Sequence, residues 1–320
     1  MRRSVRDPGL RAEIVERRAL ILPVGHVRAA SALVAHRGGW VVAQDDVLAA
    51  AVITELDATL VLLPTEPDGM RSFDARLGTK HRKPDLEAAV VLPDGRLVLL
   101  GSGSTAMRER VYAIRDDEVT VVTASELYAA LREALGPAIA LNIEGAVATG
   151  DVLRLLQRGN GAGGVNAELR IPLAWLAERL GHLDHPRPPP PVEVRRWALG
   201  TLGGLPLSFT DGVGIGPEAW VYAAAAEDSP NTVDDGAVTG SAFGVVSGGD
   251  ARWTPIVDRD GRVVPLKAEG IAPGTAPGEW WVSTDADDPD APAELIRLAV
   301  TGRLAPRTAT VARSPTRPRQ

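Results

Sequence analysis

Ser31, Glu87, Glu144, Asp211 and Glu269 occupy the same place in a recurring phrase of the sequence. Each stands before one small residue (Ala32, Ala88, Gly145, Gly212 or Gly270) and a short apolar run. Four carboxylates and a hydroxyl gathered around one axis would repel one another. At about 5 Å and an effective dielectric near 20, each ionised pair costs about 3 kcal/mol. Protonation relieves that cost, and so does a bound cation. An all-oxygen set without His or Cys suits a hard divalent ion, Ca2+ ahead of Mg2+, because Ca2+ takes more ligands in less regular geometry. An acid before a small residue can equally cap a turn by accepting backbone N–H groups. That alternative stands beside the metal at each position.

Basic and hydroxyl side chains interleave with these acids. Lys80, Arg82 and Lys83 precede Glu87, and Arg108 and Arg110 follow a turn carrying Ser102 and Ser104. Arg158 and Asn160 end another strand-like run, and Lys267 precedes Glu269. Such a mixed-charge cluster suits a phosphorylated or carboxylated small molecule, with the glycine-rich turn offering N–H groups. The same cations could instead balance the acids as ion pairs. If the site hydrolyses its ligand, Asp45, Asp85 or Asp285 is placed to orient a water. The five histidines lack metal-ligand spacing, and there is no nucleophile elbow, Walker loop or dinucleotide fingerprint.

The elements that must position these residues are short strands. Glycine (33) and proline (25) punctuate brief apolar runs along the whole chain, which argues for many turns. The five key residues are separated by 56, 57, 67 and 58 positions, a period that fits four-stranded propeller blades. The expected fold is all-β: a five-bladed β-propeller spanning 12–302, closed by an N-terminal strand at 18–23 because the last repeat lacks its outer strand. Two helical insertions are expected at 125–135 and 172–180, each preceding an inner strand. Trp40, Trp220, Trp280 and Trp281 fall at matching second-strand positions and read as packing between blades.

Composition bounds the rest. A net charge of −6 disfavours general nucleic-acid binding. The absence of cysteine excludes disulfides and zinc–thiolate sites. The charged N-terminus lacks a secretory apolar run, no stretch is of spanning length, and a cytoplasmic location without membrane contact is the default expectation. Residues 303–320 carry five arginines and no acid and read as a solvated, disordered tail. No feature identifies a protein partner.

The stretches Lys83-Pro-Asp-Leu-Glu-Ala88, Leu100-Gly-Ser-Gly-Ser104, Asn142-Ile-Glu-Gly145 and Leu156-Gln-Arg-Gly-Asn160 resemble an uncharacterised family of bacterial propeller-type proteins, which implies a fold but no activity. The order Ser31, Glu87, Glu144, Asp211, Glu269 also resembles calcium-activated nucleotidases of the apyrase type, five-bladed propellers with one axial Ca2+. That resemblance implies a Ca2+-centred protein that binds an anionic or phosphorylated small molecule and, as an enzyme, would hydrolyse a phosphoanhydride or phosphoester. The other expectation is a non-catalytic scaffold whose axial metal pins the fold.

Overall fold

Two strands open the chain, β1 (Arg2–Arg6) and β2 (Arg11–Ala19). Antiparallel meanders of four strands follow, because each apolar run is too short to do more than cross a sheet once. The first is β3 (Ala30–His36), β4 (Gly39–Gln44), β5 (Ala49–Ile53) and β6 (Ala58–Leu62). The second is β7 (Leu86–Val91), β8 (Leu97–Gly101), β9 (Arg110–Arg115) and β10 (Glu118–Thr123). Helix α1 (Ser125–Leu135) leads to β11 (Ile143–Thr149), β12 (Val152–Gln157), β13 (Asn166–Pro172), helix α2 (Leu173–Arg179) and β14 (Glu193–Ala198). The short β15 (Thr201–Leu202) turns onto β16 (Leu205–Gly216), followed by β17 (Ala219–Glu227), β18 (Val238–Ser247) and β19 (Asp250–Val257). Last come β20 (Ala268–Pro273), β21 (Glu279–Thr284) and β22 (Glu294–Thr301), and β2 pairs antiparallel with β22 as the fourth strand. The computed structural model describes residues 1–304 except 56, 117, 161–163, 183–186, 230–235, 286–287 and 289.

The first strands of the meanders form a closed ring: β3 adjoins β7, β7 adjoins β11, β11 adjoins β16, β16 adjoins β20, and β20 returns to β3. Burial grades outward from that ring. β4 and β8 are buried along their whole length, whereas β6 and β10 each bury a single residue. The second strands β4 and β8 are covered on both faces and so read as near-continuous apolar runs, as a sheet covered on both sides requires. Apolar clusters lie between successive meanders, not in one centre. One joins the second and third with α1 and α2, and another joins the first and second. The result is an all-β, propeller-like architecture with two helices. Trp40 and Trp281 meet at 5.2 Å between ring centroids, and Phe243 and Trp280 at 5.4 Å, so these tryptophans pack between meanders.

Closure by the N-terminus is observed, but the strand is Arg11–Ala19 and not 18–23. Leu20 and Leu22 instead bury themselves against the first meander beyond the strand end. The alternation of buried Ala12 and Ile14 with more exposed Arg11 and Glu13 is the period-2 signal that the expectation passed over. β1, upstream of the expected start at 12, also belongs to the fold: it runs parallel to both β14 and β19 and so spans two meanders. Helix α2 does not precede an inner strand. It connects the third and fourth strands of its own meander, away from the ring. Among the described residues no helix is long and apolar enough to cross a membrane. Nearly all of the Arg-rich tail, 305–320, lies outside the described residues.

Glycines allow the ring to close tightly. A Cβ on Gly270 would lie 2.4 Å from the Leu33 backbone nitrogen, and one on Gly145 would lie 2.8 Å from the Asp211 Cα. These neighbours are backbone, so they cannot give way as a flexible side chain would. Gly270→Ala is expected to lower stability by about 1–3 kcal/mol, the usual cost of overpacking. Urea denaturation followed by tryptophan fluorescence measures it, and an unchanged midpoint would show that the ring has slack.

Candidate functional site

Every first strand of the ring carries one extra residue relative to its partner. The pairing register skips Ser31 in β3, Glu87 in β7, Glu144 in β11, Thr210 in β16 and Glu269 in β20. A one-residue bulge bends the strand and re-aims the side chain it carries. The fourth member of the set is therefore Thr210 and not Asp211. The Asp-Gly pair at 211–212 imitates Glu-Gly at 144–145 and 269–270, but it is displaced by one residue, and a slip of one reverses the side chain's direction. The hydroxyls of Ser31 and Thr210 behave alike: Ser31 donates to the Leu86 carbonyl, and Thr210 donates to the Ala268 carbonyl at 2.7 Å. Asp211 points into the ring, where its Oδ2 accepts from Ile271 N–H at 3.0 Å and Leu33 N–H at 3.4 Å. It does not line the cavity described below.

On one side of the mouth, Lys83 contacts Asp45 and lies 2.8 Å from Asp85. Asp85 has φ +57°, a left-handed conformation that Asp tolerates better than most residues. Its carboxylate is held from three directions: by Lys83, by Arg108 at 2.8 Å and by the Ser102 hydroxyl at 2.5 Å. Arg108 also donates to Ser104 at 2.8 Å. Helix α1 backs this turn, with Tyr128 Oη donating to the Gly101 carbonyl at 2.7 Å and Arg132 to the Gly103 carbonyl at 2.8 Å. The N–H groups of Ser102, Gly103 and Ser104 donate to the Asp85 carbonyl, the Arg108 carbonyl and the Ser102 hydroxyl, so the turn does not present them to an anion. One oxygen each of Asp45, Asp85 and Glu87 lie within 4.8 Å of one another.

On the other side, Arg158 sits among three acids: it bonds Glu144 at 3.1 Å, contacts Glu227, and lies 3.8 Å from Glu269. Lys267 is 3.1 Å from Glu269 and 3.9 Å from Glu227. The Asn142 amide donates to Glu144 at 2.6 Å. The contacts of Arg158 with Glu227 and Glu269, and of Lys267 with Glu227, bridge different meanders, so they tie the ring together as well as neutralising its acids.

A cavity of about 230 Å³ joins the two sides. Ser31, Asp45, Lys80, Lys83, Asp85, Glu87, Arg108, Glu144, Arg158, Asn160, Lys267, Glu269 and Asp285 all line it. Ser102 and Ser104 stand behind Asp85 and Arg108. Arg82 and Arg110 are drawn away, to Asp68 and Glu66. Sequence reasoning missed Arg28, Asp74, Arg76 and Asp288, which line the rim. Arg28 pairs with Asp46 at 2.8 Å and Asp74 at 3.5 Å, and Arg76 with Asp290 at 3.0 Å. For Asp74 and Arg76 the available signal was the long connection between β6 and β7, since loops of that length usually carry function.

Nine acidic and seven basic side chains line the cavity, an excess of two negative charges when all are ionised. The titration shifts combine burial with the balance of these neighbouring charges. Burial raises Glu87 well above the usual carboxylate range, and Glu144, Asp85 and Asp45 add to the effect. Burial raises Glu144 to about 7 against the pull of Arg158. Glu269 is raised by burial despite Lys267 and Arg158. Asp85 goes the other way: burial opposes ionisation, but Lys83 and Arg108 outweigh it and lower its pKa. Asp211 is raised well above the usual range by burial, which its backbone N–H partners offset only in part.

The sign for stability follows from linkage. Between about 4.5 and about 7 the folded protein keeps a proton on Glu144 that the unfolded chain has lost. That contribution is complete below the unfolded pKa and disappears as pH rises through about 7. Stability is expected to fall by about 1–3 kcal/mol from pH 5 to pH 8, each pKa unit being about 1.4 kcal/mol. Urea midpoints across that range, with Glu144→Gln expected to flatten the curve, provide the measurement.

A search of curated protein sequences finds no match. Several solved structures are similar in overall path. Glutaminyl cyclase of Myxococcus xanthus matches with TM-score 0.45 at 11% identity over 94% of this chain and 99% of that one. The N-terminal domain of Nup159 matches with TM-score 0.35 at 10% identity over 94% and 99%. The extracellular domain of BT4673 from B. thetaiotaomicron matches with TM-score 0.35 at 9% identity, covering 85% of this chain and 27% of that one. At these scores the strand pairing itself, and not the likeness, carries the description of the fold. One family model spans residues 26–300, from just before β3 to the end of β22, and the chain belongs to that family of unknown function, DUF6929.

Proposed function

We propose that the chain is a five-bladed propeller that binds a divalent cation, Ca2+ ahead of Mg2+, at the mouth of its ring and holds a small oxygen-bearing molecule there. The carrying observation is the cavity's excess of acid, concentrated where Asp45, Asp85 and Glu87 bring oxygens within 4.8 Å. A hard cation offsets two charges at once, and an all-carboxylate donor set suits it. Lys83 already answers part of the charge on Asp45 and Asp85, so Glu87 is the acid whose charge the cation would chiefly offset. Glu144 and Glu269 are engaged by Arg158 and Lys267 and act as supports. The ligand set thus differs from the axial arrangement of the apyrase-type nucleotidases.

Lys83, Arg108, Arg158 and Lys267 are each committed to carboxylates. An anionic ligand would therefore be held through the cation and not by these side chains. Asp85, kept ionised by Lys83 and Arg108, is suited to ligation more than to taking a proton from water. This favours binding over hydrolysis. A purely structural mouth is the second reading, favoured by ion pairs that cross between meanders.

Thermal melting with Ca2+ or EDTA separates the two. Saturating Ca2+ is expected to raise Tm by several degrees, since a ligand at 100 times its Kd adds about 2.7 kcal/mol. Glu87→Gln is expected to weaken Ca2+ binding at least tenfold in calorimetric titration while leaving the EDTA-treated protein as stable as before. A Tm indifferent to Ca2+ would leave the structural reading standing.

A further inference from the structure

We infer that residues 74–79 form a latch at the rim of the mouth, fastened by Arg76 to the loop between β21 and β22, and that its opening sets how fast the cavity exchanges its occupant. The kinetic half of this rests on the reading of the mouth as a cation site; the latch itself does not.

The segment lies in the long connection between β6 and β7, and its flanks are fixed in the fold. Phe73 is 1% exposed and donates its N–H to the Asp46 carbonyl at 2.8 Å. Lys83 is buried against Asp45 and Asp85. Between them, residues 74–82 include no buried side chain. The latch is instead closed on itself. The Thr79 N–H donates to the Asp74 carbonyl at 3.0 Å, the Asp74 N–H to Thr79 Oγ1 at 2.8 Å, and the Gly78 N–H to the Ala75 carbonyl at 3.0 Å. It keeps its shape by its own hydrogen bonds and contributes nothing to an apolar core. Leu77, at its tip, is 76% exposed and already faces water. Segments with so little burial open at the low end of a protein's stability range.

This weakly buried segment is nevertheless part of the cavity wall, through Asp74, Ala75 and Arg76. Its base is held by Arg28, which lies 3.5 Å from Asp74 and donates to the Ser72 hydroxyl at 3.2 Å. Its tip is held by Arg76, 3.0 Å from Asp290 and 3.7 Å from Asp288. Asp288 lines the same cavity. The side chains of Arg76, Asp288 and Asp290 are all more than half exposed. Ion pairs at such exposure shift an equilibrium by about fivefold at most. A held base and a weakly fastened tip make a flap that opens without unfolding anything else, and flaps of this kind gate entry and release.

The chain has no cysteine, so Arg76→Cys with Asp290→Cys supplies two unique attachment points and leaves the net charge unchanged. The full chain joined there by a short bismaleimide is compared with the same variant capped by N-ethylmaleimide. Chelator-driven Ca2+ release in stopped flow is expected to slow at least tenfold in the joined protein. Association is expected to slow alike, leaving Kd within about threefold. Release rates equal in joined and capped protein overturn the gate. Slower release without slower association also overturns it, since Arg76 would then act as wall and not as latch. Hydrogen–deuterium exchange of the cation-free protein reads the latch independently. Amides 74–79 are expected to exchange about threefold faster in Arg76→Ala and more slowly in the joined protein, with Phe73 and Lys83 unchanged. Wild-type protein that binds no Ca2+ removes the cation reading, and amide exchange then decides the latch alone. Amides 74–79 indifferent to both Arg76→Ala and the crosslink overturn it.

Discussion

Closing the first strands of the meanders into one ring is the constraint on which the rest of this protein depends. The ring is too tight for side chains at several points, and glycines at 145 and 270 admit backbone where a Cβ would collide. It also imposes one extra residue on each first strand, at 31, 87, 144, 210 and 269. A bulge at the same place in each meander re-aims those side chains, and four of them, at 31, 87, 144 and 269, line the one cavity. Two of them, Ser31 and Thr210, spend their hydroxyls on the carbonyl of a neighbouring first strand. The other three are carboxylates, and they create the electrostatic problem that the surrounding residues answer.

That answer is a set of buried ion pairs, chiefly Lys83 with Asp45 and Asp85, Arg108 with Asp85, and Arg158 and Lys267 with Glu144, Glu227 and Glu269. Buried pairs of this kind contribute little net stability, because desolvation of both charges consumes most of the attraction. They do make the loss of one partner expensive. The network therefore specifies geometry more than it stabilises the fold, and it leaves acid in excess. Burial raises Glu87, Glu144 and Glu269, whereas Lys83 and Arg108 outweigh burial at Asp85 and lower it. A propeller-like fold by itself carries no activity. The functional reading comes from this local surplus, where Asp45, Asp85 and Glu87 gather.

Much of the architecture was legible before the structure. Short apolar runs between glycine and proline clusters, repeated at a near-constant interval, identify the meanders, because a strand's period of two and its turn chemistry are local properties. The missing outer strand of the last repeat pointed to the N-terminus for the same reason. Its position was misread as 18–23, since the run Leu20-Ile-Leu22 is more apolar than the amphipathic Arg11–Ala19 that takes the edge. Local hydrophobicity marks a buried segment but does not say which segment pairs.

The sequence alone determined the repeats, the all-β class, the convergence of acids and bases at one mouth, and the membership of Glu87, Glu144 and Glu269 in that set. Tertiary structure decided the rest. It replaced Asp211 with Thr210, because register belongs to a strand and its partner and cannot be read from one strand's residues. It split the acids into those answered by Lys and Arg and those left over, because part of the charge pairing, such as Lys83 with Asp45 and Arg158 with Glu227, runs between meanders far apart in the chain. It brought Arg28, Asp74 and Arg76 to the rim, because a loop's path is set by what it packs against. Which atoms at the mouth remain for a ligand is a property of the closed ring, and no segment of the sequence contains it.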